Sequence, residues 1–134
     1  MGKKTIGSRN RTKGHNGERL YANIFDKELG FKHCVTSRYG SRIHDDAGID
    51  LIHLPFNVQI KTGKQRGMNP SQVLNYMKSR IKELFPETAP EQKMISVVIH
   101  RKDVGQGRKR NEQDDLVFMS FEDFKKLLKK VKWD

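Results

Sequence analysis

Gly48-Ile49-Asp50-Leu51-Ile52, with Gln59-Ile60-Lys61 beginning nine positions after the aspartate, is the stretch on which the fold of this chain turns. Leu54-Pro55-Phe56-Asn57 separates the two apolar runs, so the simplest local structure is a pair of antiparallel strands joined by a tight connection. Side chains alternate along a strand, which puts Gln59 and Lys61 on one face and Val58 and Ile60 on the other. A hairpin centred near Pro55 sets Asp50 opposite Gln59 or Lys61. In either register an acid, an amide and an ammonium converge on strands otherwise rich in Ile, Leu and Val. Polar groups in such a setting are costly unless paired, so the cluster has no simple packing purpose.

The 134 residues leave room for a single domain with one core. A hydrophobic content of 34% and seven Phe support a modest core, while 32% charged residues require a large wet surface. Lys and Arg total 27 against 16 acids, a net charge of +11, which predicts a polyanionic partner, with nucleic acid the obvious candidate. A basic membrane-surface protein is the alternative. No segment reaches the length of a membrane span and the N-terminus lacks the apolar core of a signal peptide, so a cytoplasmic protein of a bacterial, archaeal or phage-infected cell is expected. Cys34 is the only cysteine, which excludes a disulfide framework and a zinc-knuckle spacing and leaves a small buried hydrophobe.

Outward from the central stretch, residues 1–13 carry Lys3, Lys4, Arg9, Arg11 and Lys13 with almost no apolar residue and are expected to form a mobile basic arm, either solvated or touching phosphate. From Asn16, helical spacing of Leu20, Tyr21, Ile24, Phe25 and Leu29 predicts a first helix with Gly30 as its cap. Residues 33–38 read as a short strand and 39–47 as a polar loop, in which His44-Asp45-Asp46 lacks the ligand spacing of a metal site. Asn69-Pro70 starts a helix, Val73, Leu74, Met77, Ile81, Leu84 and Phe85 form its stripe, and Pro86 stops it. A buried strand at 95–99, a basic loop at 101–113, a strand at 116–119 and a helix from Ser120 follow. In the last helix Phe121, Phe124, Leu127, Leu128 and Val131 are expected inward and Lys125, Lys126, Lys129 and Lys130 outward. The order α-β-β-β-α-β-β-α predicts an α/β sandwich on a mixed central sheet.

Glu18, three residues before Tyr21, lies on or beside the apolar face of the first helix. It complements the positive helix end, or it reaches over the sheet to Asp50. Gly17-Glu18 on an N-terminal helix, Gly48-Ile49-Asp50 on one strand and Gln59-Ile60-Lys61 on the next resemble the PD-(D/E)XK nuclease superfamily. The resemblance implies a restriction-endonuclease-like αβββαβ core flanked by helices, compatible with the later elements. Within the superfamily the short length, the early glutamate, the Gly30-Phe31 step and the Ser/Arg-containing loop before the aspartate are most similar to archaeal-type and phage-type Holliday junction resolvases. Ile49 replaces proline before the aspartate. Gln59 stands where glutamate is usual, a departure shared with intron-encoded homing endonucleases and restriction-type relatives with a Val-Gln-x-Lys strand.

Hydrolysis of a phosphodiester needs charge neutralisation and a hydroxide-like water, and a divalent cation supplies both. Mg²⁺, or Mn²⁺, takes hard oxygen ligands. Asp50 is expected as the central ligand, with the Gln59 amide oxygen, the Ile60 carbonyl and a direct or water-mediated contact from Glu18. Lys61 is expected to orient the attacking water or stabilise the transition state. Arg38, Ser41 and Arg42 precede Asp50 in a loop suited to gripping phosphate, with Ser37 alongside, and Lys64, Arg66, Arg9, Arg11 and Lys13 extend the basic surface. His15 and His53 have a surface or packing role as their default. Branched DNA cut on two strands requires two sites, so the resemblance implies a homodimer, with Met68, Tyr76 and Met77 among its candidate contacts. The expected activity is a metal-dependent endodeoxyribonuclease that resolves branched DNA. Cleavage of linear duplex by a homing or restriction-type enzyme, and DNA binding without catalysis, are the alternatives.

Overall fold

The computed structural model describes residues 6–63, 69–103 and 111–133. Helix α1 spans Ile6–Asn23 and continues through a π-helical turn at Ile24–Glu28. Strand β1 (Val35–Thr36), helices α2 (Ser37–Gly40) and α3 (Arg42–Asp46), and strand β2 (Leu51–Ile52) follow. Strand β3 (Asn57–Gly63), helix α4 (Pro70–Leu84), strands β4 (Ser96–Lys102) and β5 (Leu116–Met119), and helix α5 (Phe121–Lys130) complete the order.

A three-stranded mixed sheet in the order β3-β4-β5 forms the centre, β3 parallel to β4 and β4 antiparallel to β5. The parallel pair needs a long crossover, which α4 supplies. Alternation along β3 and β4 divides the core. Val58, Ile60, Val97 and Ile99 pack with Tyr21 and Ala22 of α1 and with Phe25 of the π-helical turn. On the other face Val98 packs with Ile49 and with Leu74, Met77, Ile81 and Phe85 on α4 and at its end. The chain is thus mixed α/β with its sheet between helices, as the element order predicts. Cys34 is buried, and that burial pushes its thiol up to about 11, so it serves as a packing group. No helix among the described residues is long and apolar enough to cross a membrane.

Local chemistry explains the helix boundaries. Asn69 accepts the Gln72 amide at 3.1 Å and Pro70 opens α4. Gly17 lets α1 approach β3, since a Cβ there would stand 2.6 Å from Thr62 Oγ1. The Tyr21 hydroxyl donates to Asp115 and ties α1 to the segment before β5.

Several expectations change. Residues 6–13 of the expected arm belong to α1, whose helix therefore starts well before Asn16; residues 1–5 lie outside the described ones. The strand expected over 33–38 shrinks to Val35–Thr36, because the chain turns into α2 at Ser37. The expected polar loop holds two short helices, α3 capped by Ser41, whose Oγ accepts the His44 amide at 3.4 Å. The expected hairpin does not close as a ladder: β2 pairs with β1, Val35 opposite Ile52, and His53 at φ 67° turns the chain before β3. In helix α5 the buried position is Asp123, whose carboxylate accepts the Ser96 amide, while Leu127 and Leu128 are only half-buried and Phe121 is 73% exposed. Met77 is fully buried and is core, not interface, while Met68 lies outside the described residues.

Met77 has no exposed surface and sits at the centre of the α4 layer. Met77→Ala is expected to lower stability by about 2–4 kcal/mol, read from the urea midpoint with the slope of the transition unchanged.

Candidate active site

Asp50 sits where β2 approaches the outer edge of β3, and all three of its polar groups are engaged there. Its amide donates to the Val58 carbonyl at 2.8 Å and its carbonyl accepts the Ser37 amide at 2.8 Å. Its carboxylate Oδ2 accepts the Ile60 amide at 2.7 Å. In a parallel pair, alternate residues of β3 turn their peptide groups to β4, leaving Val58 and Ile60 to face the other way. Asp50 therefore supplies the acceptor that a missing neighbour strand would have supplied.

Burial raises the Asp50 pKa to about 7; the Ile60 amide opposes this, Glu18 adds to it, Lys61 opposes and Asp45 adds again. Three acids thus share one electrostatic neighbourhood. Glu18 is carried over the sheet by α1 at the point where Gly17 meets Thr62. Its carboxylate takes a hydrogen bond from Arg38 at 2.7 Å, with the two side chains 15% and 24% exposed. Burial raises the Glu18 pKa, Arg38 pulls it down, and Asp45 raises it further. Of the two readings of Glu18, placement beside Asp50 is the one the geometry supports.

Gln59 and Lys61 share the α4 side of β3. The Gln59 amide lies against Gly48, whose φ of 81° and lack of Cβ leave 3.5–3.6 Å between a Cβ placed there and the amide atoms. Gln59 Oε1 is buried without a hydrogen-bond partner among the described residues. Lys61 is exposed, and its charge favours the ionised form of Asp50.

The residues expected to grip phosphate divide. Arg38 is engaged with Glu18, and Ser41 caps α3 while its Oγ meets His44 Nδ1 at 2.6 Å. Ser37 is buried. Arg42 is exposed, 3.8 Å from Asp46. Arg11 is exposed, and Lys13 pairs with Asp103 at 2.7 Å. Lys64, Arg66 and the Arg9 side chain lie outside the described residues. His15 has its pKa lowered by partial burial and then by Arg38, Arg19 and Arg11. Positions 11, 15 and 19 are one helical turn apart, so α1 presents a positive ridge beside the acids.

Sequence reasoning missed three residues here. Asp45 is exposed, as a polar-loop residue should be, yet its charge acts on both Asp50 and Glu18; it sits in α3, whose Ser41 cap and His44, braced by Glu91 Oε1 at 3.1 Å, were the legible signal. Arg19 completes the ridge, visible in its spacing from Arg11. His100 is buried opposite Lys61 in the β3–β4 register, with neither ring nitrogen hydrogen-bonded among the described residues. It lies one position beyond the expected strand, and nothing local marks it.

No three His, Cys, Asp or Glu side chains among the described residues gather closely enough to hold a metal by themselves. The donors that fit a hard cation are of other kinds: the Asp50 carboxylate, the unpartnered Gln59 oxygen, and the Ile60 carbonyl, which faces the same strand edge as its amide.

Because the folded pKa of Asp50 is raised above its unfolded value, the folded state holds that proton more tightly. Its contribution makes stability fall as pH rises from about 4 towards about 7. In metal-free buffer, Asp50→Asn is expected to flatten this slope and melt above the parent at pH 8, where its amide oxygen can still accept the Ile60 amide. Melting curves at pH 5.5 and 8 check it; identical pH dependence of the two proteins would refute it. The chain matches no protein-family model, no curated protein and no solved structure, and the site stands on its own chemistry.

Proposed function

We propose that the chain is a metal-dependent endodeoxyribonuclease of restriction-endonuclease-like fold acting on branched DNA. The observation that carries the reading is the half-buried Asp50 carboxylate, tied to the edge of β3 by the Ile60 amide and raised in pKa by burial and by the neighbouring acids Glu18 and Asp45. Such a concentration of oxygen donors is unfavourable until a cation joins it. When bound, Mg²⁺ or Mn²⁺ would neutralise phosphate charge and acidify a water. Asp50, Gln59 and the Ile60 carbonyl would hold it, with Glu18 behind them, restrained by Arg38. Lys61, charged and exposed at the end of the same face, would orient the water or meet charge developing on the phosphate. The ridge of Arg11, His15 and Arg19 gives the DNA backbone a place to lie, and the net charge of +11 favours its approach.

The choice of branched DNA, and of a homodimer offering two sites, follows from the resemblance and from the symmetry of a four-way junction. The test compares a synthetic four-way junction with linear duplexes of the same sequences, each with Mg²⁺ or Mn²⁺. Preferential junction cleavage is expected, with Asp50→Asn and Lys61→Ala each slower by about 10²-fold or more. Preference for linear duplex would reject the junction reading in favour of a homing or restriction-type enzyme. Binding without cleavage of any DNA would reject catalysis.

Gln59 leaves the site one negative charge short of a glutamate-containing relative. Gln59→Glu is expected to tighten Mg²⁺ or Mn²⁺ binding by about tenfold, as an added charge near the cation implies. Titration calorimetry measures it, and unchanged affinity would remove Gln59 from the ligand set.

A further inference from the structure

Tyr39 is 80% exposed, the most exposed large hydrophobic side chain among the described residues, yet the element that carries it is fixed. In α2 the Ser37 amide donates to the Asp50 carbonyl at 2.8 Å, the Arg38 guanidinium donates to Glu18 at 2.7 Å, and the Ser41 amide closes the turn on the Ser37 carbonyl at 2.8 Å. Gly40 lies so close to Ile52 that a Cβ there would stand 2.6 Å from its Cδ1. Consecutive helical residues point about 100° apart. With Arg38 held toward Glu18, Tyr39 therefore turns aside, where it lines a cleft of about 600 Å³ shared by α1 and the segment from Cys34 to Gly40. That volume falls within the roughly 300–1,000 Å³ of small-ligand sites. A tyrosine ring on a fixed backbone loses little freedom when a partner stacks on it.

The lining identifies the occupant. Ala22 and Cys34, 8% and 4% exposed, form an apolar floor, on which burial keeps the Cys34 thiol protonated. Arg19 stands in the same cleft, and it lies with Arg11 and Arg38 close enough to His15 to oppose its protonation, an effect second to that of burial. Arg11 and Arg19 are exposed, so the cationic ridge of α1 runs into a cleft walled by an aromatic ring. Asn23, Asp26 and Thr36 add hydrogen-bonding groups. Asp26 would repel a simple anion and would be desolvated at cost by an apolar peptide or an acyl chain. A nucleotide meets each part: phosphate on the arginines, the ring face on Tyr39, and donors at the base edge on Asp26.

We propose that this cleft takes one unpaired DNA base, stacked on Tyr39, from a strand whose phosphates lie along Arg11 and Arg19. The inference rests on the DNA-binding part of the reading above and not on catalysis. It adds a cause for selecting branched DNA. Extruding a base from a duplex costs unpairing and unstacking, least where the base is already single-stranded or mispaired, so branch points and loose ends would fill the cleft and uninterrupted duplex would not. Arg38 and Tyr39 are neighbours in α2, so a base in the cleft would sit beside the group that restrains Glu18.

Fluorescence anisotropy on the full chain in metal-free buffer provides the test, without any need for cleavage. The probes are a labelled single strand of about twelve nucleotides, unable to pair with itself, and an abasic strand of the same length and charge. Tyr39→Ala is expected to weaken binding of the first by about tenfold and to leave the second unchanged, while Tyr39→Phe keeps the parent affinity. Arg19→Ala is expected to weaken both strands alike and to reduce the slope of log K against log salt by about 0.7. Equal loss on the two strands would make Tyr39 structural and overturn the proposal. A parent that binds DNA with no sensitivity to Tyr39→Ala would overturn the cleft alone, whereas a parent that binds no DNA would overturn the nuclease reading with it. An apolar dye, anilinonaphthalene sulfonate, bound in a Tyr39-dependent way and not displaced by the base-containing strand would assign the cleft to an apolar ligand instead.

Discussion

One carboxylate joins the two halves of this fold. Strands β1 and β2 form a small antiparallel pair and β3 to β5 a separate mixed sheet; Leu51 shares a core with Val58 and Ile60, and Asp50 carries the hydrogen bonds that link the two. Its peptide bridges Ser37 and Val58, and its side chain receives the Ile60 amide. An unmatched buried peptide donor costs about 1–3 kcal/mol, so a residue with an acceptor at this height is needed for structure alone. The same requirement pushes an acid into a poorly hydrated position, where its proton is held too tightly for an ordinary aspartate. Structural demand and chemical potential are thus properties of one side chain.

Around it the charges are graded. Asp45 and Glu18 add to the strain on Asp50, Arg38 restrains Glu18, and Lys61 stands at the exposed end of the face. Arg38 was expected to reach for phosphate and instead orders an acid. On α1, burial and then Arg38, Arg19 and Arg11 make His15 harder to protonate.

Much of this was legible because the signals were local. Alternation placed Gln59 and Lys61 together, Asn69-Pro70 opened α4, and the apolar runs located β4 and β5. What failed was non-local. Residues 6–13 have no apolar stripe, so nothing in them distinguishes a helix extension from a tail. The partner of β2 is β1, a choice made by the turn at His53 and invisible in the apolar pattern of either strand. Periodicity likewise revealed that α5 has two faces without revealing which one the body would take, because Asp123 is drawn in by the Ser96 amide. His100, without a hydrogen-bond partner among the described residues, is buried through the β3–β4 register.

The parallel pairing of β3 with β4 has a kinetic side. Asn57 and Ser96 are partners 39 residues apart, whereas Asp50 and Ile60 are separated by only ten. The short contact can form early, but the burial that gives Asp50 its character waits for closure of the longer loop and the docking of α4, the slow kind of event in folding. A nascent or partly folded chain would carry an ordinary solvated aspartate. The raised pKa of Asp50 would therefore be acquired in the last steps of folding, after the strands around it have taken their register.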